Sequence, residues 1–426
     1  MNIPEIILSV FFVAMLLLYS SWIILFFMAK KREKKFLNED EYPTISVILP
    51  AHNEEKCVSE TLKSVLDAKY PQPKEIIVVN DGSTDKTEDI IKEISKKNKE
   101  VKLINVAHGG KANAINQGTK IAKNEILVVL DADSRVDENA LLQIVEPFSD
   151  EKVGAVSGII KTIDEKNILV WFQDFEYVLS SAWRYLCNNL NATYILPGFA
   201  AIRRNALLAV GGFSADTFSE DFEIGLRLKK KGFKLDMSNA IIYTKVPTTL
   251  KGLMRQRMRW GLGTIQVVRK HSDVPLNRKF GAVGLYGIPT QLYWYIHSVV
   301  VLPITFYQIF GGYYQYFAAF KNFFSFEVAK YFFGWFSAYG MLEYSYKAFT
   351  GEYGVSPFFY LVFIVFFLNM FYNAIAILKF SKPKLRYLFT IFFFFPYSIL
   401  VLIFYLAPVI SELKGENKGN KWEKNG

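Results

Sequence analysis

Cysteine is nearly missing from this chain of 426 residues: Cys57 and Cys187 are the only two, both in the hydrophilic middle. That excludes a disulfide framework and points to reduced thiols. No internal repeat is visible. The first apolar segment, Ile3 to Met28, lacks a basic start and a small-x-small cleavage site, and it is longer than a signal-peptide core. It is expected to be an uncleaved membrane helix. Negative charge is outweighed, with a formal net charge of +10. The basic residues cluster beside apolar segments, where the positive-inside rule accounts for them, so nucleic acid is not an expected partner. Lys30, Lys31, Arg32, Lys34 and Lys35 follow the first helix at once. They predict an outside N-terminus, a cytosolic hydrophilic block and a multi-pass protein of the cell membrane.

What the chain has in excess is apolar surface. Hydrophobic residues make up 51%, with 38 Phe and 24 Tyr, concentrated at the two ends. The expected organisation is a membrane helix over 1–29, a cytosolic hydrophilic domain over 40–246 and basic amphipathic interface helices over 247–280. A membrane region over 281–411 and a lysine-rich cytosolic tail over 412–426 follow. Phe280 to Phe310 and Pro357 to Phe380 are each long enough to span. Phe326 to Phe349 carries Glu327, Lys330 and Glu343 and is not expected to span. Leu385 to Ile410 holds Pro396 and Pro408; it fits one crossing or a broken re-entrant pair that returns to the cytosol.

The middle block alternates short apolar runs with helical stretches, which predicts a largely parallel α/β sheet. Ile45–Leu49, Lys74–Val79, Val101–Val106 and Glu125–Leu130 read as strands, and Gly109-Gly110-Lys111 opens a helix through Ile121. Ligands of such sheets bind at the carboxyl ends of the strands, and the polar motifs lie there.

Asp131-Ala132-Asp133 ends the apolar run Ile126–Leu130. Period-two geometry puts both carboxylates on one side, as a hard cation such as Mg²⁺ or Mn²⁺ bridging to phosphates requires. Asn80-Asp81-Gly82-Ser83 also follows a buried strand. Asp81 can accept hydrogen bonds from a base or ribose; the bland alternative is a turn and helix cap. Gly110-Lys111 offers amides and a cation at a helix start, suited to an anion or a nucleotide edge. Ser219-Glu220-Asp221 precedes a predicted helix, Phe222 to Lys231. Locally it reads as capping by Ser219, while a carboxylate there could also accept a proton from a hydroxyl. Gln256, Arg259 and Trp260 lie on a basic amphipathic helix. Arg suits a diphosphate, and Trp suits the face of a sugar ring or the membrane surface.

In this order the motifs resemble glycosyltransferase family 2, and within it the processive membrane synthases of hyaluronan, chitin, cellulose and poly-N-acetylglucosamine. Pro50 to Glu55 resembles the opening P-x-x-N-E and Asn80 to Asp85 the D-G-S motif. Gly110-Lys111-Ala112 resembles G-K-A, Asp131 to Asp133 D-x-D, and Pro197-Gly198 to Arg204 the acceptor-side run. Ser219 to Asp221 stands for T-E-D, and Gln256 to Trp260 for Q-x-x-R-W. The fused Q-R-x-R-W and the E-D pair are most similar to the poly-N-acetylglucosamine synthases.

The resemblance implies a GT-A fold, a UDP-sugar donor and inverting transfer to a growing polysaccharide. Asp221 would be the base, and Asp131 and Asp133 the metal ligands. Ala51, Asn53, Glu54, Asp81, Lys111, Asp131, Gln256 and Arg259 would bind the nucleotide. Trp260, Gly198 and Glu220 would meet the acceptor. Trp422 in the tail would stand near the donor. Membrane lipid is an expected partner, with an accessory subunit or a second copy compatible. Two other readings are non-processive transfer of one sugar to a polyprenyl phosphate and a membrane-tethered binding protein without activity.

Overall fold

The computed structural model describes residues 3–29, 38–163 and 166–415. The basic cluster after the first helix and the tail with Trp422 lie outside the described residues. Helix α1 (Ile3–Met28) is followed by β1 (Ile45–Ala51), α2 (Val58–Asp67), β2 (Lys74–Asp81), α3 (Thr87–Lys97), β3 (Val101–Val106) and α4 (Lys111–Ile121). Next come β4 (Ile126–Leu130), β5 (Ser134–Val136), α5 (Ala140–Val145), β6 (Val153–Thr162) and α6 (Ile168–Asn189). The domain closes with β7 (Phe199–Arg203), α7 (Arg204–Ala209), α8 (Glu220–Lys230) and β8 (Lys234–Thr244).

The strands form one sheet in the order β3-β2-β1-β4-β7-β6-β8-β5. The first four are parallel, as their near-continuous apolar runs predict. Beyond β4 the sheet is mixed: β7 runs antiparallel to both β4 and β6. The sequence hides this, because a five-residue apolar strand looks the same in either direction. Side chains alternate between two cores. Val47 and Leu49 pack with Val58 and Leu62 of α2, while Ile48 packs with Ile115 of α4. Opposite β4, the register Leu130↔Phe199 brings Gly198 beside Asp131.

The rest is helical. Helix α9 (Leu250–Lys270) is followed by α10 (Ile288–Tyr313), which a π-helical turn, Val283–Gly287, leads into. Helices α11 (Phe326–Trp335), α12 (Ala338–Phe349), α13 (Pro357–Phe380), α14 (Leu385–Phe392) and α15 (Phe394–Leu413) complete the chain. Among the described residues four helical segments are long and apolar enough to cross a membrane: Ile3–Met28, Val283–Ala318, Pro357–Phe380 and Phe394–Leu413. The charged stretch 326–349 is two short helices, as expected. The last apolar stretch breaks at Phe393 rather than at its prolines. Pro396 sits in the first turn of α15, where a missing N–H costs nothing, and Pro408 is accommodated inside that helix.

Candidate active site

The site lies at the carboxyl ends of β1, β2 and β4. Asp131 leaves β4 with its N–H on the Gly198 carbonyl at 3.3 Å. Gly198 has φ +58, a conformation that disfavours a side chain, and a Cβ there would stand 3.5 Å from Asp131 Oδ2. Asp131, Asp133, Lys111, Glu54, Asp81 and Arg259 share a small cavity of about 90 Å³. This cavity opens beside a much larger one, whose lining includes Glu220, Asp221, Gln256 and Trp260.

Lys111 is the electrostatic centre. Its Nζ lies 2.7 Å from Asp131 Oδ1 and 2.9 Å from Glu220 Oε1. Burial works against its charge, but the two carboxylates win and raise its pKa. Burial also raises Asp131; Lys111 opposes that and Asp133 adds to it. Glu220 is held below the usual carboxylate range, because Lys111 outweighs the cost of burial. Asp221 differs. Burial first and Glu220 second push it up to about 6, although its Oδ1 accepts the Phe222 N–H at 2.8 Å. Asp131 and Glu220 are thus ion-paired to one lysine, while Asp221 beside them is held at about 6, a value suited to acid–base chemistry. Ser219 takes the N-cap position of α8, as expected, but its hydroxyl makes no capping bond.

The nucleotide-side candidates are built around turns. Asn53 has φ +55; its Oδ1 accepts the Thr84 N–H at 2.8 Å, and its own N–H donates to Ser83 Oγ at 3.1 Å. The Glu54 N–H donates to Thr87 Oγ1 at 2.7 Å. Ala51 ends β1 in register with Asn80. Asp81 is 2% exposed, and its oxygens accept the Gly109 and Gly110 N–H groups at 2.8 Å each. It therefore joins the β2 and α4 motifs, keeping the lone pairs that remain on a carboxylate for a ligand.

Two residues the sequence reading passed over sit here. The His52 and His108 rings stack at 4.2 Å with planes 28° apart, and both bond to Asp81. Their ligand atoms and that of Asp81 lie within 4.8 Å of one another, close enough to hold a metal ion. Both Nδ1 atoms converge on the Asp81 carbonyl oxygen, at 2.7 and 3.1 Å, so these ring nitrogens are already engaged there. Their places inside Pro50–Glu55 and just before Gly109 were the available signal. Asp131 and Asp133 offer oxygen donors, the type a hard cation takes, in one cavity; burial first and Asp133 after it raise Asp131.

On α9, Gln256 and Arg259 both line the large cavity, and Gln256 Oε1 is buried without a hydrogen-bond partner among the described residues. Trp260 is 36% exposed, with the Arg257 guanidinium 4.2 Å from its ring centroid. Of the predicted site residues from β1 to α9, all but Asn53 line one or other of the two cavities.

Residues 46–211 match the sequence model of Glycosyl transferase family 2. The poly-β-1,6-N-acetyl-D-glucosamine synthase of Staphylococcus aureus (strain COL) is 34% identical over 240 residues, 55% of this chain and 58% of that protein. The synthase of the same name from Staphylococcus epidermidis is 36% identical over 229 residues, 53% of this chain and 55% of that one. The chain therefore spans somewhat over half the length of these relatives. Among solved structures, the mannosyltransferase PcManGT from Pyrobaculum calidifontis, in complex with GDP-Man and Mn²⁺, is similar with a TM-score of 0.57. It is 20% identical, over 88% of this chain and 98% of that one, and it establishes a shared GT-A-like fold.

Proposed function

We propose that the protein is a processive, inverting glycosyltransferase that extends a β-linked polysaccharide from a UDP-sugar, UDP-N-acetylglucosamine first among candidates, and passes it into the membrane. One observation carries this reading. A continuous cavity of about 1770 Å³ runs from Asp131, Asp133 and Asp221 past Trp260 and Gln291 to Gln308 and Glu5, between the long apolar helices. A cavity of that length has room for several sugar units of a growing chain beyond the one being added. The names of the Staphylococcus relatives support the choice of sugar and product.

The chemistry follows from the chain's own groups. Asp221 accepts the proton of an acceptor hydroxyl. That oxygen attacks the anomeric carbon from the face opposite the diphosphate, the carbon–oxygen bond to UDP breaks, and the configuration inverts. Lys111, Arg259 and Gln256 hold the diphosphate, while Ala51, Asn53, Glu54 and Asp81 frame the nucleoside. Asp131 and Asp133 would hold a divalent cation, Mg²⁺ or Mn²⁺, which supplies charge neutralisation for the departing diphosphate. Trp260, with Gly198 and Glu220 nearby, supports the acceptor. The test is purified protein incubated with each UDP-sugar, reading UDP release and product length. A polymer ladder is the expected result; a single lipid-linked sugar, or no UDP release with any donor, defeats the reading.

The proposed orientation puts the catalytic domain in the cytosol. Helix α13 ends beside that domain, with Phe380 on Tyr185 and Arg386 bonded to Asp174 at 2.5 Å, and Lys379, Lys382 and Lys384 lie there too. Both ends of α15 are tied to the same side, through Tyr397 to Glu176 and through Glu412 to Arg269. That supports a chain that returns to the cytosol. A cysteine at Lys414 should therefore resist impermeant thiol reagents in intact cells, and ready labelling from outside would overturn this topology.

A further inference from the structure

Between the two motif residues assigned to the diphosphate, Gln256 and Arg259, stands Arg257, which the proposed chemistry leaves without a task. It is 9% exposed, too buried for a membrane-surface anchor. Its NH2 donates to Glu176 Oε2 at 2.7 Å. The same oxygen accepts the hydroxyl of Tyr397 at 2.8 Å. Tyr397 is 3% exposed and stacks on Phe172 at 4.9 Å with planes 10° apart, so its hydroxyl has little freedom. At its other side the Arg257 guanidinium covers the ring of Trp260, one helical turn along the same face. The remaining surface of that ring lines the large cavity. Just past Trp260, α9 and α15 meet without spacer: a Cβ on Gly261 would stand 2.3 Å from Pro408 Cγ.

We infer that Tyr397, Glu176 and Arg257 are positioning residues that fix the angle of the Trp260 ring, so that the C-terminal helix α15 sets the acceptor platform. Each link is short, with Tyr397 and Arg257 buried and Glu176 half-buried, and the three side chains come from three helices: α15, α6 and α9. A guanidinium tied to Glu176 on one side favours one placement over the ring on the other. The ring in turn has one face pinned and one face free. An acceptor sugar laid on the free face is then registered against Asp221 by elements far from it in sequence. The step to the acceptor rests on the proposed role of Trp260; the step from Tyr397 to Trp260 does not.

The test uses the full-length protein carrying Tyr397→Phe, which removes one hydroxyl and preserves the packing on Phe172. Trp260 emission, isolated as the difference from Trp260→Phe, should change in intensity or wavelength in this variant; an unchanged emission overturns the relay. With a saccharide acceptor, KM for that acceptor should rise roughly three- to tenfold, the size of coupling seen within one side-chain network. KM for the donor and kcat at saturating acceptor should stay near wild type. In a Trp260→Ala background the same substitution should add nothing. An equal loss in that background would mean that Tyr397 acts on the fold at large, and the inference falls. Arg257→Lys, which keeps the charge, should be milder than Arg257→Met. If the emission shifts while acceptor KM does not, the relay stands and the role given to Trp260 is wrong.

Discussion

Replacing Asp221 by Asn removes a carboxyl that the site holds well above the ordinary carboxylate range. Burial and Glu220 raise its pKa to about 6. A base works in its ionised form, so the sign is fixed: activity should be present above about 6 and fall as pH drops through that value. From that pKa, about nine-tenths of Asp221 is ionised at pH 7 and about one-tenth at pH 5. Wild-type UDP release at saturating donor should therefore fall roughly tenfold per unit on the acid side. Asp221→Asn should lose 10²–10⁴-fold or more, the order of a general base's contribution, while UDP binding stays largely intact. A second effect has the opposite sign. Because the folded-state pKa is raised, ionisation at pH 7 destabilises the fold relative to the unfolded chain, and the asparagine removes that cost. Allowing for the part of the group that water still reaches, the variant should be more stable by about 1–2 kcal/mol at pH 7, and the gain should vanish as pH falls below the ordinary carboxylate range. Purified protein, a UDP-release assay across pH, titration of UDP and a thermal-unfolding series measure all of this. Near-normal turnover of Asp221→Asn, or an acid limb close to pH 4, would refute the assignment.

Three further outcomes are expected. Glu220→Gln removes the charge that helps to raise Asp221, so the acid limb of whatever activity survives should move to lower pH; an unmoved limb would show that burial alone sets it. Asp133→Asn should lose activity together with any response to added Mg²⁺ or Mn²⁺, and full wild-type activity in EDTA would end the cation assignment. Trp260→Ala should shorten the product more than it weakens donor binding, which product sizing beside UDP titration will decide.

Much of this site is legible in the sequence because its chemistry is attached to strand ends. Asp131-Ala132-Asp133 is a weak signal alone, but after an apolar run of five it reads as carboxylates at a strand end, and β4 is buried along its whole length with the acids in the turn that follows. The same holds for Asp81 after β2 and for Ala51 to Glu54 after β1. What could not be read was any relation between distant motifs. Lys111 and Glu220 lie more than a hundred residues apart, and nothing local says that one ammonium pairs with both Asp131 and Glu220. Glu220 and Asp221 are adjacent and chemically alike. Only the enclosing fold lowers one and raises the other, because Lys111 touches the first and not the second.

The membrane half was legible in length and illegible in attachment. Hydropathy marks α15 as long enough to cross, and on composition it resembles α13. Composition does not record that Tyr397 near its start reaches Glu176, or that Glu412 near its end reaches Arg269. Those two polar residues would count as minor interruptions in any window average. In the folded chain they hold a membrane-length helix against α9 along the floor of the catalytic domain. The prolines do not mark the break: Pro396 falls in the first turn of α15, where its missing N–H is not needed, and Pro408 is accommodated inside the helix. The break came at Phe393, where the chain leaves α14 to lie along α9. Tertiary anchors, more than local propensity, decide where this last apolar segment begins and which way it runs.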